Sequence, residues 1–263
     1  MNPAGGLLAG KAAVVYGAGG SVGGAVARAF AAEGARVYLA GRTLDKLEAV
    51  AADIRAGGGE AEPGVADALD PASVEAHLDG LQDRAGRLDV TFNAVWIRGD
   101  LQGRPLVEMP VEDFTTPVLV GARTHFITAT AAARRMLPQG SGVILTLSTS
   151  AAALSGRDRR YHRTGGFAAA CAAIETFTLG LAAELGPRGI RVLALRSEAL
   201  PETWGENGAD PTFGPRVHMS GGTVLDRLPT LRELGITAAW LASDQASLMS
   251  GIVANATLGS TNG

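Results

Sequence analysis

Two short stretches hold residues whose types and spacing can do chemistry. The first, "VVYGAGGSVGGAVARAF", places Gly17, Gly20, Ser21, Val22 and Gly23 in a turn between an apolar run and a helical pattern. Small residues there let a pyrophosphate approach the backbone, and the free N–H groups and positive dipole end of the helix favour an anion. The second runs from "GVILTLSTSA" through "SGRDRRYHRTGGFAAAC". It offers the hydroxyls of Ser148, Thr149 and Ser150, the titratable Tyr161 and His162 among Arg157, Arg159, Arg160 and Arg163, and the thiol of Cys171. Hydroxyls orient a substrate oxygen, and a phenol or imidazole moves a proton. Two readings stand for Cys171: a nucleophile, or a packing residue. It lies on the stripe Phe167, Cys171, Ile174, Thr178, Leu181 and Leu185, an apolar face at helical period, and no His on that helix would activate it.

These residues need a frame, and the pattern supplies one. "KAAVVYG", "ARVYLAG", "LDVTFNAV", "GVILTL", "IRVLALR" and "GIVANATL" read as short apolar strands. Between them lie helical repeats: Val22 to Phe30, ending at Gly34; Leu44 to Ile54, stopped by three glycines; and Val74 to Leu81 behind the N-cap and first-turn pair Asp70-Pro71. A long helix spans about Glu112 to Leu137, with Pro117 restricting its early part. Thr230 and Glu233 have capping-box spacing for a helix through Trp240. Strand–helix alternation with continuously apolar strands predicts an α/β fold: a Rossmann-type, doubly wound parallel sheet in three α/β/α layers, as a single domain. Residues 201–222, rich in Gly and Pro, form an irregular insertion, read either as a lid over the carboxyl ends of the strands or as a surface excursion.

Composition removes other classes. The 263 residues are 46% hydrophobic and 19% charged with a net charge of −3, which gives no reason to expect nucleic acid or an anionic membrane as partner. One cysteine excludes an internal disulfide and a cysteine-based zinc site, and no metal is expected. With no basic n-region before an apolar run and no uninterrupted membrane-length apolar stretch, a cytoplasmic location is expected.

The glycine-rich turn, "VADALDPASVEA", "RLDVTFNAVW", "GVILTLSTSA" and "LAAELGPRGIRV" together resemble the short-chain dehydrogenase/reductase family over nearly the whole chain. The family turn reads TGxxxGxG; Tyr16 takes the Thr place, Gly17 and Gly23 the first and third Gly, and Ser21 the second. The resemblance implies cofactor contacts at Gly17, Gly20, Ser21, Val22, Gly23, Asp67, Ala68, Asn93 and Ala94. After the second strand stand Gly41 and Arg42 rather than an acidic residue. The charge favours a 2′-phosphate, hence NADP(H) over NAD(H). In "NAVW", Asn93 keeps the first Asn of the family's NNAG motif, while Trp96 sits where the family has Gly beside the cofactor ribose.

At the reaction site the family places Asn, Ser, Tyr and Lys. Registering on Arg188 to Ile190 puts Phe167 at the Tyr place, Cys171 at the Lys place, Gly121 at the Asn place and Thr149 at the Ser place. Only the hydroxyl survives. Candidate catalytic residues are therefore Thr149, Ser148 and a relocated Tyr161, with His162 and His125 as further candidates. Arg196, Ser197 and Glu198 replace the Pro-Gly that usually follows the sixth strand; Arg196 and Glu198 either act beside the nicotinamide or pair with each other. Three readings stay open: a divergent NADP(H) oxidoreductase of a small molecule, a silent nucleotide-binding homologue, or a non-redox enzyme. The resemblance also implies a homo-oligomer, dimer or tetramer.

Overall fold

The computed structural model describes residues 5–154, 156–205, 209–210 and 212–261, and for residues 156, 157 and 159 the backbone alone. The side chains of Arg157 and Arg159 and parts of the 201–222 insertion therefore lie outside the described residues. The chain runs β1 (Ala12–Tyr16), α1 (Ser21–Ala32), β2 (Arg36–Gly41), α2 (Leu44–Ala56), β3 (Glu60–Val65) and α3 (Pro71–Ala85). It continues with β4 (Val90–Asn93), α4 (Val111–Gln139), β5 (Gly142–Thr149), α5 (Gly156–Tyr161) and α6 (Gly165–Leu185). The last part holds β6 (Ile190–Ser197), α7 (Gly214–Ser220), α8 (Leu231–Ala242) and β7 (Ile252–Ala256). The strands form one seven-stranded sheet in the order β3-β2-β1-β4-β5-β6-β7, parallel throughout, which is the Rossmann-type α/β fold.

Strand periodicity divides the core in two. In β1, Ala13 and Val15 join Val26, Phe30 and Leu234 on one face of the sheet, while Ala12, Val14 and Tyr16 join Leu78, Leu81 and Met136 on the other. All five β1 residues are buried, so the strand shows no polar alternation. The order reverses at β1, with β2 on one side and β4 on the other. The crevice beyond the carboxyl ends of these strands is where such sheets hold ligands.

The caps follow the sequence. Asp70 accepts a hydrogen bond from the Ala72 N–H at the start of α3, and Thr230 and Glu233 close a capping box on α8. β3 is an addition to the expected elements: "EAEPGV" carries two Glu and Pro63, yet it pairs with β2 as the sheet edge, where a missing N–H is tolerated. Pro117 stays inside α4 and does not delay its start at Val111. α6 and the turn after it are apolar and long enough to cross a membrane, Gly165–Arg188. Its buried residues Ile174, Leu181 and Leu185 pack within the protein against the sheet and α4, which accounts for its composition.

Candidate active site

The glycine-rich turn is shaped by close backbone approaches. Gly17 has φ +74°, and a Cβ there would lie 2.6 Å from the Ala94 carbonyl oxygen. A Cβ at Gly23 would lie 2.3 Å from the Gly17 carbonyl oxygen, so α1 seats directly on the turn. Ser21, in place of the family glycine, is the first residue of α1, behind Gly20 as N-cap. The only non-glycine residues with positive φ among those described are Arg98, Asp226 and Leu258, so Ser21 carries no such strain. α1 begins with no side-chain cap and no acidic residue in its first turn, which leaves its first N–H groups as anion donors.

Gly20, Ser21, Val22 and Gly23 line one end of a cavity of about 760 Å³, and Ala94, Thr149, Phe167 and Cys171 line its wall. The insertion after β6 supplies Thr203, Trp204, Phe213 and Met219, with Trp204 and Phe213 in edge-to-face contact at 6.0 Å. The described part of this insertion thus lines the cavity. Trp96 lies on the rim, 63% exposed, with the Arg98 guanidinium over its ring. It turns outward and leaves the cavity open.

Other expected residues lie off the cavity. The Asn93 side chain is buried, donating to Thr128 Oγ1 at 2.9 Å and accepting from the Val95 N–H at 2.9 Å. It ties β4 to α4 through both its amide nitrogen and its amide oxygen. Asp67 accepts from the Leu69 N–H and Ala68 is buried, both in the loop after β3, while Arg42 is exposed beyond β2. Ser148 is also buried, donating to Glu175 Oε1 at 2.7 Å. Tyr161 ends α5, stacks on His218 at 3.5 Å, and lines an adjoining recess with Gln102, Gly103 and Arg160. His162 lines both that recess and the main cavity.

The reaction end of the cavity has a definite electrostatic make-up. Thr149 Oγ1 accepts from the Ala151 N–H at 3.2 Å and lies 3.5 Å from Cys171 Sγ. Burial is the main cause that pushes the Cys171 thiol above its ordinary value. Cys171 is buried beside Ala170 and Ile174 in an apolar cluster, the setting of a packing thiol. His125 also lines the cavity. Its Nδ1 donates to the Gly121 carbonyl at 2.9 Å, which fixes the proton on that nitrogen and leaves Nε2, buried and without a partner, as an acceptor. Burial brings its pKa down to about 4.

Arg196 and Glu198 do not pair with each other. Arg196 makes a two-pronged ion pair with Glu175 of α6, at 2.8 Å for both Nε–Oε1 and Nη2–Oε2. Glu198 turns to Ser150 instead and lines the cavity. Neither Glu175 nor the fate of Glu198 was readable from sequence, although Glu175 stands one helical turn after Cys171.

A family model described as enoyl-(acyl carrier protein) reductase matches residues 17–261. The chain belongs to the short-chain dehydrogenase/reductase family. It is 32% identical over 255 residues to the uncharacterized oxidoreductase YxbG of Bacillus subtilis (strain 168), covering 94% of this chain and 89% of that one. It is 29% identical over 249 residues to D-threitol dehydrogenase of Mycolicibacterium smegmatis (strain ATCC 700084 / mc(2)155), covering 93% and 90%. The crystal structure of an NAD+-bound xylitol dehydrogenase superposes with a TM-score of 0.81 at 25% identity, covering 95% of this chain and 98% of that one. Short-chain dehydrogenases/reductases are oxidoreductases of small molecules that use a nicotinamide dinucleotide. The residues present fit that group: an uncapped helix start without acidic side chains at one end, and a cavity leading from it to Thr149.

Proposed function

We propose that this chain is a divergent NADP(H)-dependent oxidoreductase that handles a small-molecule substrate without the family's Tyr–Lys–Asn proton relay. The observation that carries the reading is the single cavity joining the Gly20–Gly23 turn to Thr149, Phe167 and Cys171. When bound, the dinucleotide supplies a hydride acceptor or donor. The first N–H groups of α1 hold its phosphates, and Arg42, exposed and in no ion pair among the described residues, is the cation available for a 2′-phosphate. The Thr149 hydroxyl orients the substrate oxygen. Phe167 contributes an apolar wall that excludes water, and Cys171 holds its proton. The proton acceptors that line the cavity are His125 Nε2 and the Glu198 carboxylate.

The polyol dehydrogenases among the relatives support a hydroxylated small molecule as substrate class. Exposed Leu119 and Phe126 on α4 and Leu179 on α6, with Phe126 beside Phe177, support a homo-oligomer built through these helices. The apolar residues at the family's Tyr and Lys places favour a second reading, a nucleotide-binding chain without catalysis. Calorimetry with NADPH and NADH tests both: binding of neither refutes both. With binding in hand, turnover of polyols with NADP+, or of ketones, enones and imines with NADPH, separates them.

A further inference from the structure

Glu198 is a buried carboxylate with hydrogen bonds but no counter-cation. It follows the end of β6, is 3% exposed, and lines the same cavity as the glycine-rich turn. Its Oε1 accepts from Ser150 Oγ at 2.8 Å and from the Ala199 N–H at 2.9 Å, and its Oε2 accepts from Ser260 Oγ. No Lys or Arg pairs with it among the described residues, and Arg196, two residues earlier, is held by Glu175. His162, across the same cavity, is kept below its ordinary pKa by burial, which outweighs the opposing pull of Glu198.

An enclosed anion of this kind selects for positive charge in the space it faces, because the low-dielectric surroundings screen it weakly. The two redox states of a nicotinamide differ in just that property: the oxidised ring carries a positive charge and the reduced ring is neutral. With phosphates at Gly20–Gly23, the rest of the cavity, whose lining includes Thr149, Ser150 and Glu198, is the space left for the ring. We propose that Glu198 biases this site toward the oxidised nicotinamide cofactor, so that the protein loads for substrate oxidation. The inference rests on the dinucleotide reading above. It deepens that reading by naming the cofactor state and the side chain that selects it.

The test is calorimetric titration of the whole chain with NADP+, NADPH and adenosine 2′,5′-bisphosphate, or with NAD+ and NADH if those are the forms that bind. The wild type should bind the oxidised form more tightly than the reduced form. Glu198→Gln keeps the side-chain shape and should weaken the oxidised form about tenfold while leaving the reduced form unchanged or tighter. Glu198→Asp keeps the charge and should retain most of the preference. Adenosine 2′,5′-bisphosphate lacks the ring, and its equal affinity for all three proteins shows that the fold and the adenosine half are intact. An oxidised-to-reduced affinity ratio that is the same in wild type and Glu198→Gln overturns the inference and leaves the dinucleotide reading standing. Failure of the wild type to bind any dinucleotide overturns both.

Discussion

Breaking the ion pair beneath the cavity should be costly, and removing it whole should not. Arg196 and Glu175 have side chains only 7% and 11% exposed, joined by two bonds of 2.8 Å, with Ser148 Oγ adding a third at 2.7 Å to the same carboxylate. Arg196→Met leaves the Glu175 carboxylate buried with hydroxyl support alone. Losing one partner of such a pair costs about 3–5 kcal/mol. In a chain of this size each kcal/mol is worth roughly 2–4 °C, so the melting temperature should fall by roughly 10 °C. Glu175→Met should cost a similar amount, because it removes the carboxylate that takes two bonds from the buried guanidinium. The double variant replaces both charges by apolar groups and should recover most of the loss, leaving a coupling of about 2 kcal/mol or more. Urea unfolding of the four proteins, read by circular dichroism, measures that coupling. Single losses below about 1 kcal/mol, or a double loss equal to the sum of the singles, would refute the claim that the pair acts as one buried unit.

Three other perturbations follow from the same coordinates. Arg42→Ala should weaken NADPH by roughly 10- to 100-fold and leave NADH unchanged in calorimetry, since one charge-assisted contact is worth about 1.5–3 kcal/mol. Burial lowers both His77 and His125 to about 4, so between pH 6.5 and 4 the unfolded chain binds more protons than the folded one. Stability is then complete above about pH 6.5 and falls with pH through that window, by roughly 3 kcal/mol per histidine; urea midpoints that stay flat from pH 7 to 4.5 would contradict this. Cys171→Lys places an ammonium in the enclosed Ile97–Ala170–Ile174 cluster and should lower the melting temperature by several degrees. The added Phe167→Tyr should fail to produce ketone reduction, which a standard NADPH assay reads.

Much of the frame was legible because each device is local. Continuous apolar strands, the Asp70 cap and the Thr230–Glu233 box each lie within a few residues of sequence. β3 was not, because its two Glu and Pro63 mimic a loop, and only the neighbouring β2 makes it a strand. The site was half legible. The glycine-rich turn and Thr149 sit where a strand end must put them, whereas Tyr161 is carried away by α5, a helix too short for periodicity to reveal. Arg196 and Glu198, two apart, would share a strand face if β6 continued. It stops at Ser197, and Glu198 turns to Ser150 and to Ser260, 62 residues away, a contact that no local pattern encodes.

Gly121 and Cys171 lie where α4 and α6 pack closely together. At Gly121 a Cβ would already lie 3.3 Å from Ala170 Cβ and 3.4 Å from Ile174 Cδ1, so an Asn there would have to push α4 and α6 apart. The same close approach encloses Cys171 completely and lets His125 bond the Gly121 carbonyl from within α4. A lysine at 171 would stand one helical turn from Glu175, whose carboxylate is already taken by Arg196 and Ser148. Arg196 directs its charge to Glu175, while the carboxylate that lines the cavity is Glu198.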